Sequence, residues 1–317
     1  MITTSLGLVV AGALAATHLL NLERVRPLVA TTIWLSALAL RALTAIFIAL
    51  FAVFYLRASV LFGPITHWCW HAVLPLVTTH MGLNGHELGD ATTVAPSLFL
   101  AASLLSAAYG VMRATRAIRL MLKRASLGRG PQDSVIVGGR EVLVAAAGLA
   151  RPQVIVSAGA LAALDDGELH AGLAHERGHI AHRHRFIMLV AEFCRALARY
   201  LPGTRRAMDE LVLSLERDAD AWALRRSDRL DLASVICKAA GAQAPPSVMA
   251  LSGGSGRRRV EEILDGQPAS RRRASGAALL ASTLLVLVLA LTALLPAASW
   301  AGVQELRSDH SVHHCRG

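Results

Sequence analysis

Four apolar blocks constrain this chain before anything else in it. Residues 5–21, 31–56, 96–112 and 276–300 contain a single formal charge, Arg41. Each is close to the roughly 20 residues that a helix needs to cross a bilayer. With 54% hydrophobic but only 5% aromatic residues, the apolar content is clustered into blocks, and such clustering points to lipid. The first block lacks a basic region before it and is followed by Glu23-Arg24-Val25-Arg26-Pro27, so it reads as a span and not a cleaved leader. Arg41 inside a span either faces the bundle interior with a partner, snorkels to an interface, or takes part in signal transmission.

The charges flanking these blocks set an orientation. Arg113, Arg116, Arg119, Lys123 and Arg124 follow the third block, and Arg257-Arg258-Arg259 and Arg271-Arg272-Arg273 precede the fourth. Both clusters border residues 125–270, which the positive-inside bias puts in the cytoplasm; residues 57–95 and the tail 301–317 fall outside. Trp68 and Trp70 in the 57–95 segment suit a membrane interface, and its histidines show no ligand spacing. The net charge of +10 then records topology and contact with anionic lipid. Direct nucleic-acid binding is not expected, because the basic clusters sit beside spans and not on a recognition helix.

Within residues 125–270 lies His175-Glu176-Arg177-Gly178-His179, an H-E-x-x-H pattern in a helical run. On a helix, positions i and i+4 share a face, so His175 and His179 can present imidazole nitrogens to one metal ion, with Glu176 beside them as a general base. Two histidines do not complete a zinc site. Glu216 and Asp220, also four apart on a helical run, offer a third ligand and a carboxylate to accept the N–H of a ligand imidazole. Leu169, Leu173, Leu211, Leu215 and Leu224 are the expected contact between the two helices. His182 could in principle compete for metal but lacks a neighbouring Glu base.

The rest of the domain reads as α+β. Residues 134–137 and 141–145 suggest a hairpin about Gly138-Gly139-Arg140, with a third strand at 151–156. That strand is either an edge that pairs with an extended substrate or a buried strand of the sheet. Asp165 or Asp166 should cap the motif helix, with Glu168 in a capping-box position, and the helix should run on through His182 and His184. Helices follow at about 186–200, around Glu216, and at about 230–242. Residues 241–256 form a Gly- and Pro-rich loop that gates the site, is cleaved in cis, or simply connects. Cys194 and Cys237 should be reduced, whereas Cys69 and Cys315, both outside, could pair.

Several of these runs occur in the order seen in known peptidases. Val154 to Leu161, Leu164-Asp165-Asp166-Gly167-Glu168-Leu169, Leu173 to His179, Glu216-Arg217-Asp218-Ala219-Asp220 and Arg259-Val260-Glu261-Glu262-Ile263-Leu264 resemble the core of integral-membrane zinc metallopeptidases of the BlaR/MecR type. More distantly, they are similar to the HtpX and CAAX-prenyl-protease group. The resemblance implies Zn2+ as the metal, Glu176 as base, Glu216 in the third-ligand motif, and a peptidase on the cytoplasmic side of a cell membrane. It implies for Arg259 a role in orienting the ligand helices or stabilising the oxyanion, and for His184 a supporting or surface role. A protein substrate follows, either a transcriptional repressor or a misfolded membrane protein. No large sensor domain follows the last span, so the resemblance extends to the peptidase and not to beta-lactam sensing.

The expectation is a multi-span α-helical membrane protein with an inserted α+β gluzincin-type metallopeptidase domain. Residues 1–124 carry three spans, 125–270 the cytoplasmic zinc metallopeptidase domain, 271–300 the fourth span with its basic flank, and 301–317 a short extracytoplasmic tail. The competing expectation is a silent membrane signalling or scaffold protein that keeps the fold, which loss of a ligand would favour.

Overall fold

A computed structural model describes residue 22 and residues 25–54, 85–148, 152–240 and 256–265. The expected spans at 5–21 and 276–300, the loop at 241–255, the tail 301–317 and the Cys69–Cys315 pair lie outside the described residues. Two long helices come first, α1 (Pro27–Phe54) and α2 (Gly85–Ala125). Each contains a stretch long and apolar enough to cross a membrane, Pro27–Leu50 in α1 and Val94–Ala117 in α2. The stretch in α1 is nearly half buried inside the protein and that in α2 almost wholly exposed.

α2 contains the block expected as the third span and extends beyond it at both ends. Its helix begins at Gly85 and runs unbroken through the basic residues to Ala125, with Pro96 inside it and not at its start. After Met112 the sequence is mainly Ala, Arg, Leu and Lys, all good helix formers, so nothing stops it at the end of the apolar block.

Arg41 settles into the protein interior. It is fully buried, with Nε donating to Pro202 O (3.2 Å) and Nη1 to Ala37 O (3.1 Å), so it ties α1 to the turn after Leu197. Around it Ile33, Trp34, Ala37 and Leu38 of α1 share one buried cluster with Ala191, Ala207, Met208, Leu211 and Leu215 of the later helices.

A four-stranded sheet follows: β1 (Ser126–Arg129), β2 (Val135–Val137), β3 (Val144–Ala147) and β4 (Gln153–Ser157), in the order β1-β2-β4-β3. The expected hairpin of β2 with β3 is therefore not formed, and β1 was unforeseen. β4 lies between them, parallel to β2 (Val135 opposite Ile155) and antiparallel to β3 (Ala145 opposite Ile155). Val154, Ile155 and Val156 are β-branched and buried, and a central slot hides both faces of such a strand. β4 is thus no edge. The edges of the described sheet are β1 and β3, and the β3 run Val144-Ala145-Ala146-Ala147 has small side chains against which a helix backbone can come close.

Six helices complete the described chain: α3 (Ala158–Ala163), α4 (Asp166–Ala181), α5 (His184–Leu197), α6 (Thr204–Ala223), α7 (Arg229–Ala240) and α8 (Gly256–Asp265). One core joins Val144, Val154 and Val156 of the sheet to Leu169 and Leu173 of α4 and to Leu232, Val235 and Ile236 of α7. Leu211 and Leu215 of α6 face α1 instead, and Leu224 is partly exposed, so the leucines do not form the expected contact between α4 and α6. That contact is made at Gly178, where an added Cβ would stand 3.2 Å from Ala219 Cα and 3.1 Å from Trp222 Cβ. Helix separation grows with the side chains at the crossing, and leucines would hold the two apart.

Candidate metal centre

α4 is defined at both ends. Asp165 is its N-cap: the Asp165 carboxylate accepts from Glu168 N–H (2.8 Å) and the Glu168 carboxylate from Asp165 N–H (3.0 Å), a reciprocal capping box. The helix does not continue through His184. It stops at Ala181, because Arg183 takes a left-handed conformation with φ 54°, and α5 starts afresh at His184. This reversal turns the His184 ring back onto α4.

His175, Glu176 and His179 are all buried, as are Glu216 and Asp220 of α6. His175 Nε2 lies 3.1 Å from His179 Nε2 and 3.6 Å from Glu216 Oε2, and His179 Nε2 lies 3.4 Å from Glu216 Oε1. Tetrahedral ligands at the zinc distances of about 2.0–2.1 Å stand about 3.3 Å apart, and each Nε2 lies near that distance from the other and from one oxygen of Glu216, Oε2 for His175 and Oε1 for His179. The two Nε2 atoms face each other in a buried site, where bare lone pairs repel unless a cation or a proton lies between them. The donor set and its spacing fit zinc.

The other nitrogen of each imidazole faces a neighbouring side chain. His175 Nδ1 lies 2.9 Å from Asp220 Oδ1, and His179 Nδ1 lies 2.9 Å from His184 Nδ1. Arg259 of α8, buried, donates from Nε (2.8 Å) and Nη2 (2.6 Å) to the two oxygens of Asp220, and its Nη1 is 2.6 Å from Glu216 Oε2. Arg259 thereby joins both carboxylates of α6, the geometry of a residue that orients the site. Burial pushes the Glu216 carboxyl up, but Arg259 and the two histidines outweigh it and hold it at about 2. Burial likewise opposes ionisation of Asp220, and Arg259 and His175 keep it below the ordinary carboxylate range. Burial opposes protonation of both imidazoles. Asp220 and Glu216 overcome it at His175, raised to about 9, whereas it prevails at His179, lowered to about 3.

Glu176 points to the sheet. Its Oε2 accepts a hydrogen bond from Ala146 N–H of β3 (2.6 Å), while its Oε1 is buried with no hydrogen-bond partner among the described residues. Burial raises its carboxyl to about 7, close to the value that suits a group which both takes and gives a proton near neutrality. The guanidinium of Arg185 pulls the other way, and its Nη1 and Nη2 are buried without a hydrogen-bond partner among the described residues.

Five contributors here were not anticipated: Ala146, Asp218, Trp222, Arg185 and the close approach at Gly178. Asp218 accepts from His184 Nε2 (3.1 Å) and, through the same Oδ2, from His182 Nδ1. His182, His184 and Asp218 form a second group with the spacing of metal ligands, beside His175, His179 and Glu216. The surface alternative for His184 is thereby removed, since the residue is buried. Trp222 stands edge-on to the His182 ring at 5.1 Å, and Arg226 stacks over its indole at 3.7 Å. The spacing H-x-H at 182 and 184 and the middle acid of E-R-D-A-D were visible signals for the Asp218 group. Ala146 acts through its backbone and left none.

A buried H-E-x-x-H motif thus faces a Glu from a second helix, a group that could hold a metal ion. Residues 114–211 match the model described as Peptidase family M48, which supports a metallopeptidase hydrolase. The match covers less than half of the chain and stops before Glu216, Asp220 and Arg259. No curated protein matches the chain.

Proposed function

We propose that this protein is a membrane-embedded zinc metalloendopeptidase that cleaves peptide bonds of a cytoplasmic or membrane-associated protein. The observation that carries the reading is the buried group of His175 Nε2 and His179 Nε2, 3.1 Å apart, with the Glu216 carboxylate 3.6 Å from the first through Oε2 and 3.4 Å from the second through Oε1, beside the Glu176 carboxylate with one anchored oxygen and one without a partner among the described residues. His175, His179 and Glu216 would hold the ion. When bound, zinc supplies Lewis-acid polarisation of the scissile carbonyl and lowers the pKa of water.

The residues of the chain do the rest. Ala146 N–H holds Glu176 Oε2, which leaves Oε1 to take a proton from the attacking water and return it to the departing amide nitrogen. Asp220 fixes the ring of His175, and Arg259 fixes Asp220 and Glu216. β3, at the edge of the described sheet and bonded to the base, is the natural rail for an extended peptide.

The two apolar helices support a membrane setting, and the basic residues that follow Met112 support a cytoplasmic peptidase domain. The BlaR/MecR resemblance suggests a transcriptional repressor as substrate, and the HtpX resemblance a misfolded membrane protein.

The test is zinc content and casein cleavage on detergent-purified wild type, Glu216→Ala and Glu176→Gln. About one zinc in wild type and Glu176→Gln, with zinc lost in Glu216→Ala and cleavage lost in both variants, is the expected result. Zinc in none of the three would overturn the reading.

A further inference from the structure

We propose that His184 and Asp218 form a tautomer relay: they hold the proton of His179 on Nδ1 and so keep its Nε2 lone pair turned toward the metal. The inference rests on the zinc reading above and concerns residues to which that reading gives no role.

The argument is a count of protons that starts from a group with no choice. A carboxylate accepts and cannot donate. Asp218 Oδ2 accepts from His184 Nε2 at 3.1 Å and also from His182 Nδ1, so both nitrogens carry hydrogen. A neutral imidazole has one N–H, and with it on Nε2 the Nδ1 of His184 is bare. That Nδ1 lies 2.9 Å from His179 Nδ1, a bond that forms only if His179 supplies the proton. His179 is then bare at Nε2, the atom that faces His175 Nε2 and Glu216 Oε1. With His184 and His179 both neutral, each assignment follows from the one before it.

The two candidate ligands are thus oriented by different means. His175 meets a carboxylate directly, Asp220, whereas His179 reaches Asp218 through a second imidazole. The left-handed turn at Arg183 makes this possible by bringing His184 back onto α4, and burial of His184 keeps water from replacing it. The same count decides between two uses of the His182, His184 and Asp218 group. To ligate a second metal through Nε2, His184 would need its proton on Nδ1, where it would confront the N–H of His179. With the first site loaded, the group serves as a relay and not as a second metal site.

The experiment measures zinc affinity by chelator competition on the full chain in detergent, with zinc stoichiometry and the melting temperature of the metal-free protein as companions. His184→Phe fills the space without accepting or donating and should weaken zinc binding about 10–100-fold, the range for lost partners of metal-ligating histidines. His184→Gln, whose amide can accept from His179 and donate to Asp218, should recover affinity to within about threefold of wild type. Should His184→Phe fail to fold, Asp218→Asn carries the test. Its amide fits the same space but can offer an N–H, which lets the relay reverse, and affinity should fall by about tenfold or more.

Unchanged affinity in His184→Phe, or a loss that His184→Gln does not recover, overturns the relay and leaves the zinc site standing. A second zinc per chain that disappears in His184→Phe also overturns it, in favour of a second metal site. Wild type that binds no zinc overturns the metal reading itself.

Discussion

Nη1 of Arg259 lies 2.6 Å from Oε2 of Glu216, so a side chain from the last described helix holds a candidate metal ligand on a helix far from it in sequence. Breaking a buried pair by removal of one partner typically costs about 3–5 kcal/mol, because the other charge is left uncompensated. Arg259→Met strands both Glu216 and Asp220. The expected outcome is a lower melting temperature that zinc partly restores, since the ion supplies the missing positive charge. Thermal unfolding with and without zinc checks it. An equal loss in both conditions would contradict it.

The Gly178 approach to Ala219 and Trp222 leaves no room for a branched side chain. Gly178→Val should cost about 1–3 kcal/mol from overpacking and, by separating α4 from α6, weaken zinc binding as well. Chelator competition together with thermal unfolding reads both effects. Stability lost with affinity kept would mean that α4 and α6 accommodate the bulk without moving the triangle.

Ala146 offers a test of the base that leaves the metal ligands alone. Its N–H points to Glu176 and away from β4, so proline there removes one donor without removing a ladder bond. A hydrogen bond to a charged group is worth about 1.5–3 kcal/mol, so Ala146→Pro should lower kcat by about tenfold or more. Zinc content is expected to stay at the wild-type level, and kcat equal to wild type would dismiss the anchoring role of this N–H.

Glu168 predicts a pH dependence of stability. Burial pushes its carboxyl up, but Lys238 Nζ (2.6 Å), Ser234 Oγ (2.5 Å) and Asp165 N–H (3.0 Å) together hold it below the ordinary value. A carboxyl depressed in the folded state contributes stability that is complete above its unfolded pKa, about 4.3, and is lost as pH falls through the lowered folded value. Wild type should therefore exceed Glu168→Gln at neutral pH, and the gap should close below about pH 4. Melting temperatures of the two proteins across pH 3–8 measure the gap. A constant gap would contradict the assignment.

Much of the centre was legible in sequence because helical spacing converts directly into geometry. His175 and His179 at i and i+4, with Glu216 and Asp220 at the same interval on a second helix, required only that the two helices meet. The Asp165 cap was legible for the same local reason. The sheet was less so: β2 and β3 are adjacent in sequence and separated by turn residues, the pattern of a hairpin, yet β4 enters between them, buried at all but its first residue. Pairing order is a contest among strands, and no single stretch records its result.

By itself, the sequence determined the spacing of the candidate donors on each of two helices, the cap that starts the motif helix, and two helices apolar enough for lipid, since each depends on residues within a few turns of one another. The tertiary structure alone decided which backbone N–H anchors Glu176, that Arg259 joins Glu216 to Asp220, and that His184 turns back to stand between His179 and Asp218. Those contacts link segments distant in the chain, and their strength comes from burial that only the assembled fold provides.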